Sequence, residues 1–181
     1  LRVRVEVDPD DLLGAKTSQE ASPSVGSATR LTVVIVPLVS GTQVPTLPTQ
    51  AEVLNELARA LPLARDQITV SFRVPYVLTS VTDGVDSTAE WPSALTELDQ
   101  LRRREAPTSL YFGMVRPMGS SGTAGIGYVN AQTMRSPNLS SLGWDASYPN
   151  WPRTMVHELG HRFSRAHTVC GNPASPDPAY P

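Results

Sequence analysis

The chain has 181 residues and a mass of 19.5 kDa, enough for one hydrophobic core but not for two independent ones. Charged residues make up 18% and the formal net charge is −2, so no basic surplus exists to neutralise a phosphate backbone, which argues against a nucleic-acid-binding protein. The sequence contains no apolar run of eighteen residues, so no transmembrane segment is predicted.

Residues 1–29 are predicted to be an N-terminal strand followed by a flexible linker. Residues 1–7 alternate between apolar and charged side chains, the period of a half-buried strand. Residues 17–29 are rich in Ser, Ala and Gly, the composition of a flexible linker. The strand would either close a preceding β-domain or form an edge strand of the main fold, and both alternatives stay open.

The main domain is predicted from residue 30 to residue 167 and begins with a strand, a helix and a second strand. Leu31 to Val39 is a β-branched run that suits a strand covered on both faces. Thr49 to Glu52 has the capping-box pattern, so a helix should begin there and end at Pro62. Ile68 to Leu78 reads as the second strand, with Pro75 at an edge or a bend.

A second helix is predicted from Pro92 to Glu105, followed by strands over Ser109–Arg116 and Ile126–Asn130. The three arginines at the end of this helix indicate a solvated helix end more than an anion site. Residues Met134–Asn150 are predicted to be a long irregular segment. The order of elements predicts an α/β (α+β) fold of two or three layers, whose twisted sheet is mostly parallel with one reversed edge strand. The closing arginines are Arg102, Arg103 and Arg104.

The end of the main domain carries a pattern typical of a metal site. His157 and His161 are four residues apart, so on a helix both imidazoles leave the same face and can reach one zinc ion. Glu158 lies about 100° round the helix from His157, where its carboxylate can reach an activated water without occupying a coordination position. These residues therefore predict a catalytic zinc centre with Glu158 as general base.

His167 is the candidate third metal ligand. A continuous helix would carry it about 9 Å beyond His161 and roughly 240° around the axis, facing away from the metal. The helix must therefore stop just after His161, and the chain must turn back near Ser164. By average residue frequencies, such a spaced set of three histidines with the glutamate would arise by chance in about one chain in ten thousand.

The segment His157-Glu158-Leu159-Gly160-His161-Arg162-Phe163-Ser164-Arg165-Ala166-His167 resembles the extended zinc motif of the metzincin metallopeptidases. The resemblance implies a zincin-like upper subdomain: a mostly parallel sheet with two backing helices and a C-terminal active-site helix. It implies one catalytic Zn²⁺, peptide-bond hydrolysis in protein or glycoprotein substrates, and a secreted or cell-surface bacterial protein. Substrate would lie along the edge strand, here residues 125–130, although a flexible glycine loop is an equal alternative there.

Two departures from the family pattern bear on activity. The family has glycine where this chain has Ser164, and it has a methionine-containing turn after the third histidine, whereas no Met follows Met155 here. We therefore expect residues 168–181 to begin a truncated lower subdomain. The resemblance also implies a disulfide at Cys170, whose partner the sequence does not show.

Three other interpretations stay open. The first is a zincin whose third ligand is a downstream glutamate, although no Glu follows Glu158. The second is a non-catalytic adhesion or glycan-binding module that retains a degenerate zinc site. The third is a structural zinc site closed by Cys170 as a fourth ligand.

Overall fold

The computed structural model describes residues 3–7, 17–21, 30–85, 87–116, 118, 122–129, 138–163, 165–168 and 176–177. Near the N-terminus, strands β1 (Val3–Val7) and β2 (Thr17–Ala21) pair antiparallel as a separate two-stranded sheet. Part of the segment predicted as linker is therefore a strand, because five consecutive residues of it pair in register with β1.

The main sheet has six strands and is mostly parallel, as predicted. These strands are β3 (Leu31–Val39), β4 (Ile68–Phe72), β5 (Tyr76–Val77), β6 (Leu110–Val115), β7 (Gly125–Gly127) and β8 (Ser140–Trp144). They run in the order β4-β3-β6-β8-β7, with β5 also paired to β3, and only β7 is antiparallel to its neighbour. The predicted mixed α/β fold with one reversed edge strand is confirmed.

Helices cover both faces of this sheet. Helices α1 (Gln50–Ala60) and α3 (Trp151–Arg162) pack on one face, and α2 (Glu90–Glu105) packs on the other. Alternate residues of the central strands point to opposite faces, so Ile35 joins the core under α1 and α3 while Val36 joins the core under α2. The molecule therefore has three layers, one of the two arrangements that the order of elements left open.

Local signals in the sequence account for the first helix and the divided strand. Thr49 caps α1, because its side chain accepts from the backbone of Glu52 while the Glu52 carboxylate accepts from the backbone of Thr49, which is the predicted capping box. The strand predicted over Ile68–Leu78 is interrupted at Pro75, and the pieces on either side both pair with β3.

Helix α2 begins at Glu90, two residues before Pro92, the residue predicted to start it. Proline is tolerated anywhere in a first turn, because those N–H groups have no partner within the helix. In the middle of α2, the Glu97 carboxylate accepts hydrogen bonds from Tyr76, Thr79 and Ser80. Burial raises the pKa of Glu97, but the hydrogen bonds from Ser80 and Thr79 outweigh it and bring that pKa to about 2.

The prediction that the arginines closing α2 are solvated is wrong for Arg102. Its side chain is 2% exposed, and its Nε donates to Asp99 Oδ1 at 3.0 Å. The Asp99 carboxylate also accepts from Arg103 at 2.7 Å and from Ser140 of β8 at 3.0 Å. The end of α2 is therefore fixed to the sheet by a buried ion pair, which the helix pattern alone did not indicate.

The prediction that Met134–Asn150 is irregular is also wrong, because β8 lies within it. Strand β8 is central in the sheet, and Ser140 and Ser141 are fully buried. Gly143 is required by packing under α3: a Cβ there would lie 2.9 Å from Thr154 of α3 and 3.1 Å from Phe112. Within the described ranges, none of the helices is both long and apolar enough to span a membrane.

Candidate active site

Helix α3 carries the metal-binding pattern and is anchored by its opposite face. Trp151, Met155 and Leu159 recur every four residues and are buried in the core under α1 and α3. This anchoring turns His157 and His161 toward the cleft beside β7, with the His157 side chain half-exposed and that of His161 nearly buried.

The chain leaves the helix where the sequence predicted. Helix α3 ends at Arg162, and both Phe163 and Arg165 donate their backbone N–H to the Gly160 carbonyl. The strand-like bridge between His167 and Pro176, together with the bond from the Asp177 N–H to the His167 carbonyl (2.7 Å), then fixes the third histidine. Ser164 and Cys170, singled out in the sequence, lie outside the described residues.

The three predicted histidines converge. The candidate ligand atoms of His157, His161 and His167 all lie within 4.8 Å of one another, and the Nε2 atoms of His157 and His167 are 3.3 Å apart. Two nitrogens bound to one tetrahedral zinc at about 2.0–2.1 Å would be separated by about 3.3 Å. The donor set and spacing therefore fit a zinc ion, and in the part of the chain described here no fourth Cys, His or carboxylate joins the group.

The His161 ring is oriented by the returning chain. Its Nδ1 lies 2.6 Å from the Arg165 carbonyl oxygen, which can only accept, so Nδ1 carries the proton. The Nε2 lone pair is then free to bind a metal, as in other sites where a carbonyl orients a ligating histidine. Burial lowers the pKa of His161 and of His157, which favours the neutral rings that a metal requires.

Glu158 lies between the two helical histidines and beneath the cleft. Its Oε1 is 4.0 Å from His157 Nε2, its Oε2 is 4.0 Å from His161 Nε2, and its side chain is 8% exposed. Burial raises the pKa of this carboxyl to about 7, and the nearby Arg162 guanidinium opposes that shift. The carboxylate is therefore adjacent to the histidine cluster without belonging to it.

Two glycines of the edge strand make room for Glu158. A Cβ on Gly125 would lie 2.8 Å from Glu158 Cγ, and a Cβ on Gly127 would lie 2.9 Å from the Glu158 carbonyl oxygen. The sequence indicated this glycine-rich strand as a substrate edge but not as the support of the glutamate. Only the three-dimensional packing of β7 on α3 shows the second role.

The cleft is a cavity of about 1010 Å³ between α3 and the edge strand β7. Its lining includes all four predicted site residues together with residues 122–127. Sequence reasoning missed Arg153, which also lines it. The signal was present, because Arg153 precedes His157 by four residues and so shares its helix face.

In comparison with known proteins, the sequence matches the model of one protein family. The model of metallo-peptidase family M12B, reprolysin-like, matches residues 46–168, a stretch that contains the three histidines and Glu158. No curated protein matches the chain. Among solved structures, metalloproteinase-II from Bacteroides fragilis is similar, with a TM-score of 0.46 and 18% identity. The alignment covers 78% of this chain and 43% of that one, so the chain spans less than half of that relative.

Proposed function

The chain belongs to the reprolysin-like metallopeptidases of family M12B, and from that premise we propose that it is a zinc-dependent endopeptidase acting on extracellular proteins or glycoproteins. The observation that carries the proposal is the convergence of three imidazoles beside a buried carboxylate at the edge of a sheet. Residues 30–167 would form the catalytic unit.

His157, His161 and His167 would hold the zinc ion, since three imidazoles leave a coordination position open, as catalytic zinc sites require. When bound, zinc supplies Lewis acidity, which activates water and polarises a peptide carbonyl. Glu158 takes the proton of the attacking water on a carboxylate oxygen and delivers it to the leaving amine. Its burial suits this role, because a poorly solvated carboxylate is a stronger base than an exposed one.

Strand β7 would bind the substrate backbone. It is the last strand in the sheet order, so the backbone groups on its outer side are open to an added strand as far as the structure describes the chain. An extended peptide paired there would lie along the cleft that contains Glu158 and the histidines. We place the enzyme outside the cell or at the cell surface, which the metzincin resemblance implies and which fractionation of the producing cells would test.

The substitution Glu158→Gln tests the base assignment. The purified protein should contain about one zinc per chain, and the variant should keep that zinc while hydrolysis falls by at least about 100-fold. His167→Ala is the matched variant that should lose zinc as well as activity. Retained hydrolysis in Glu158→Gln would refute the role of Glu158, and bound zinc without turnover of any peptide by the unaltered protein would favour a non-catalytic binding module.

A further inference from the structure

We infer that Arg153 is a specificity-determining residue, which makes the cleft select substrates with a carboxylate close to the scissile bond. The carboxylate would belong to an Asp or Glu side chain, or to the C-terminus of a peptide. This inference rests on the proposed peptidase function, but it concerns which substrates bind and not how the bond is broken.

Arg153 is placed on the cleft side of α3. It lies one helical turn before His157 on the same face, about 6 Å along the axis. The next residue, Thr154, packs against β7 and β8, because its Cγ2 lies 2.7 Å from the position of a Cβ on Gly125 and 2.9 Å from that of a Cβ on Gly143. Both residues line the cavity. The exposed Arg153 side chain therefore lies at the wall of the cleft, beside the path of a peptide bound to β7.

Arg153 also carries an exposed positive charge at the cleft. Among the described residues that line the cavity, only Arg153 and Glu158 carry side chains that are ordinarily charged at neutral pH, and Glu158 is buried. Along the described lining, a peptide therefore meets a positive charge at the surface and a buried carboxylate at the bottom. Such a distribution favours a negatively charged substrate group near Arg153 and disfavours a Lys or Arg there.

The guanidinium is available for such a group. Other arginines form ion pairs with carboxylates of the protein: Arg73 with Glu105, Arg103 with Asp99 and Arg116 with Asp145. Throughout the described ranges Arg153 has no ion pair or side-chain hydrogen bond. Its planar guanidinium can therefore donate two parallel hydrogen bonds to a substrate carboxylate. Such a pair of bonds is selective in its geometry as well as attractive.

The distance restricts the substrate position. An extended peptide advances about 3.3 Å per residue. The rise of about 6 Å along the helix axis from Arg153 to His157 therefore equals the length of about two residues of a peptide that runs beside the helix. The selected carboxylate should thus lie within two residues of the scissile bond. Because the site is a partly open cleft, we expect a preference of about 3- to 10-fold that weakens as salt is raised.

The test uses the zinc-loaded protein and matched peptides that differ only in Glu, Gln or Lys at each position within two residues of the cleaved bond. The unaltered protein should prefer Glu over Gln by about 3- to 10-fold in kcat/KM at one position, mostly through KM. Arg153→Gln should abolish this preference, and Arg153→Glu should transfer it to Lys. Arg59→Gln, an equal charge change on an exposed residue of α1, should leave it intact. A parallel pair of peptides with free and amidated C-termini distinguishes a terminal carboxylate from a side chain.

A binding measurement separates this inference from the proposed function. Peptide affinity is measured by fluorescence anisotropy in the Glu158→Gln background, with and without Arg153→Gln. A Glu preference lost with Arg153→Gln supports the inference even if no peptide is ever hydrolysed, in which case only the peptidase proposal fails. Equal affinities and equal kcat/KM for Glu and Gln peptides at every position, with hydrolysis intact, would overturn the inference and leave the peptidase proposal standing.

Discussion

The close contact between Gly125 and Glu158 makes Gly125→Ala a sensitive probe of the site. A Cβ there would lie 2.7 Å from Thr154 Cγ2, 2.8 Å from Glu158 Cγ and 3.0 Å from Glu158 Oε1. Ordinary carbon contacts are about 3.5–4.0 Å, so strand or glutamate must move by about 1 Å. Because two different side chains, Thr154 and Glu158, crowd the new methyl group, the movement of one flexible side-chain end does not relieve the contact.

A displacement of 1 Å in catalytic geometry can reduce a rate by about 100-fold. We therefore expect kcat/KM of Gly125→Ala to fall about 10- to 100-fold, equivalent to about 1.4–2.7 kcal/mol of lost transition-state stabilisation. Overpacking should also lower the free energy of unfolding by about 1–3 kcal/mol. Zinc content should not change, since none of the three atoms nearest the methyl group belongs to a histidine.

The assay compares kcat/KM on one fluorogenic peptide, zinc per chain and urea unfolding for the two proteins. Gly160→Ala is the matched control, because the residue is inside a helix and no atom apart from its chain neighbours and its own helix backbone lies within 4 Å of the added Cβ. That variant should gain about 0.5–1 kcal/mol of stability with activity retained. Unchanged kcat/KM in folded, zinc-loaded Gly125→Ala would refute the argument that this glycine sets the position of Glu158.

Two further predictions concern stability. In the folded protein the pKa of Glu97 is about 2, below its ordinary value of 4.5. The hydrogen bonds from residues 79–80 therefore contribute up to roughly 3 kcal/mol to the free energy of unfolding above pH 4.5. This contribution is lost as the pH falls toward 2. Unfolding free energies of Glu97→Gln and the unaltered protein should differ at pH 7 and converge near pH 2; curves that stay parallel would contradict this. Asp99→Ala leaves the buried Arg102 without its carboxylate and should cost about 3–5 kcal/mol in urea unfolding. Arg103→Ala, which removes only a half-exposed partner, should cost about 1 kcal/mol or less, and equal losses would argue against a buried pair.

Sequence reasoning succeeded where one residue type determines local geometry. The capping box of Thr49 and Glu52, the break at Pro75 and the i, i+4 pair of histidines each act within a few residues, so their outcome is readable from spacing alone. The turn after His161 was also predictable, because no continuous helix can bring His167 to the other two rings.

It failed where packing between distant elements decides the structure. The sequence of β8 does not alternate between apolar and polar residues. Helices pack closely against the strand, so serine and glycine fit there better than β-branched residues. The burial of Arg102 depends on Asp99 and on a serine of β8, about forty residues away in sequence. Neither constraint leaves a periodic pattern for a single sequence to show.

The hydrogen bond from His161 to the Arg165 carbonyl has a consequence for evolution and engineering. The bond closes a loop of four residues, and the bridge from His167 to Pro176 follows directly after it. Inserting or deleting one residue between these histidines would break the loop or rotate the last ring away. Length variation among homologous chains should therefore be concentrated in exposed connections such as residues 64–66, between α1 and β4, while this short interval keeps its length even where its residue types change.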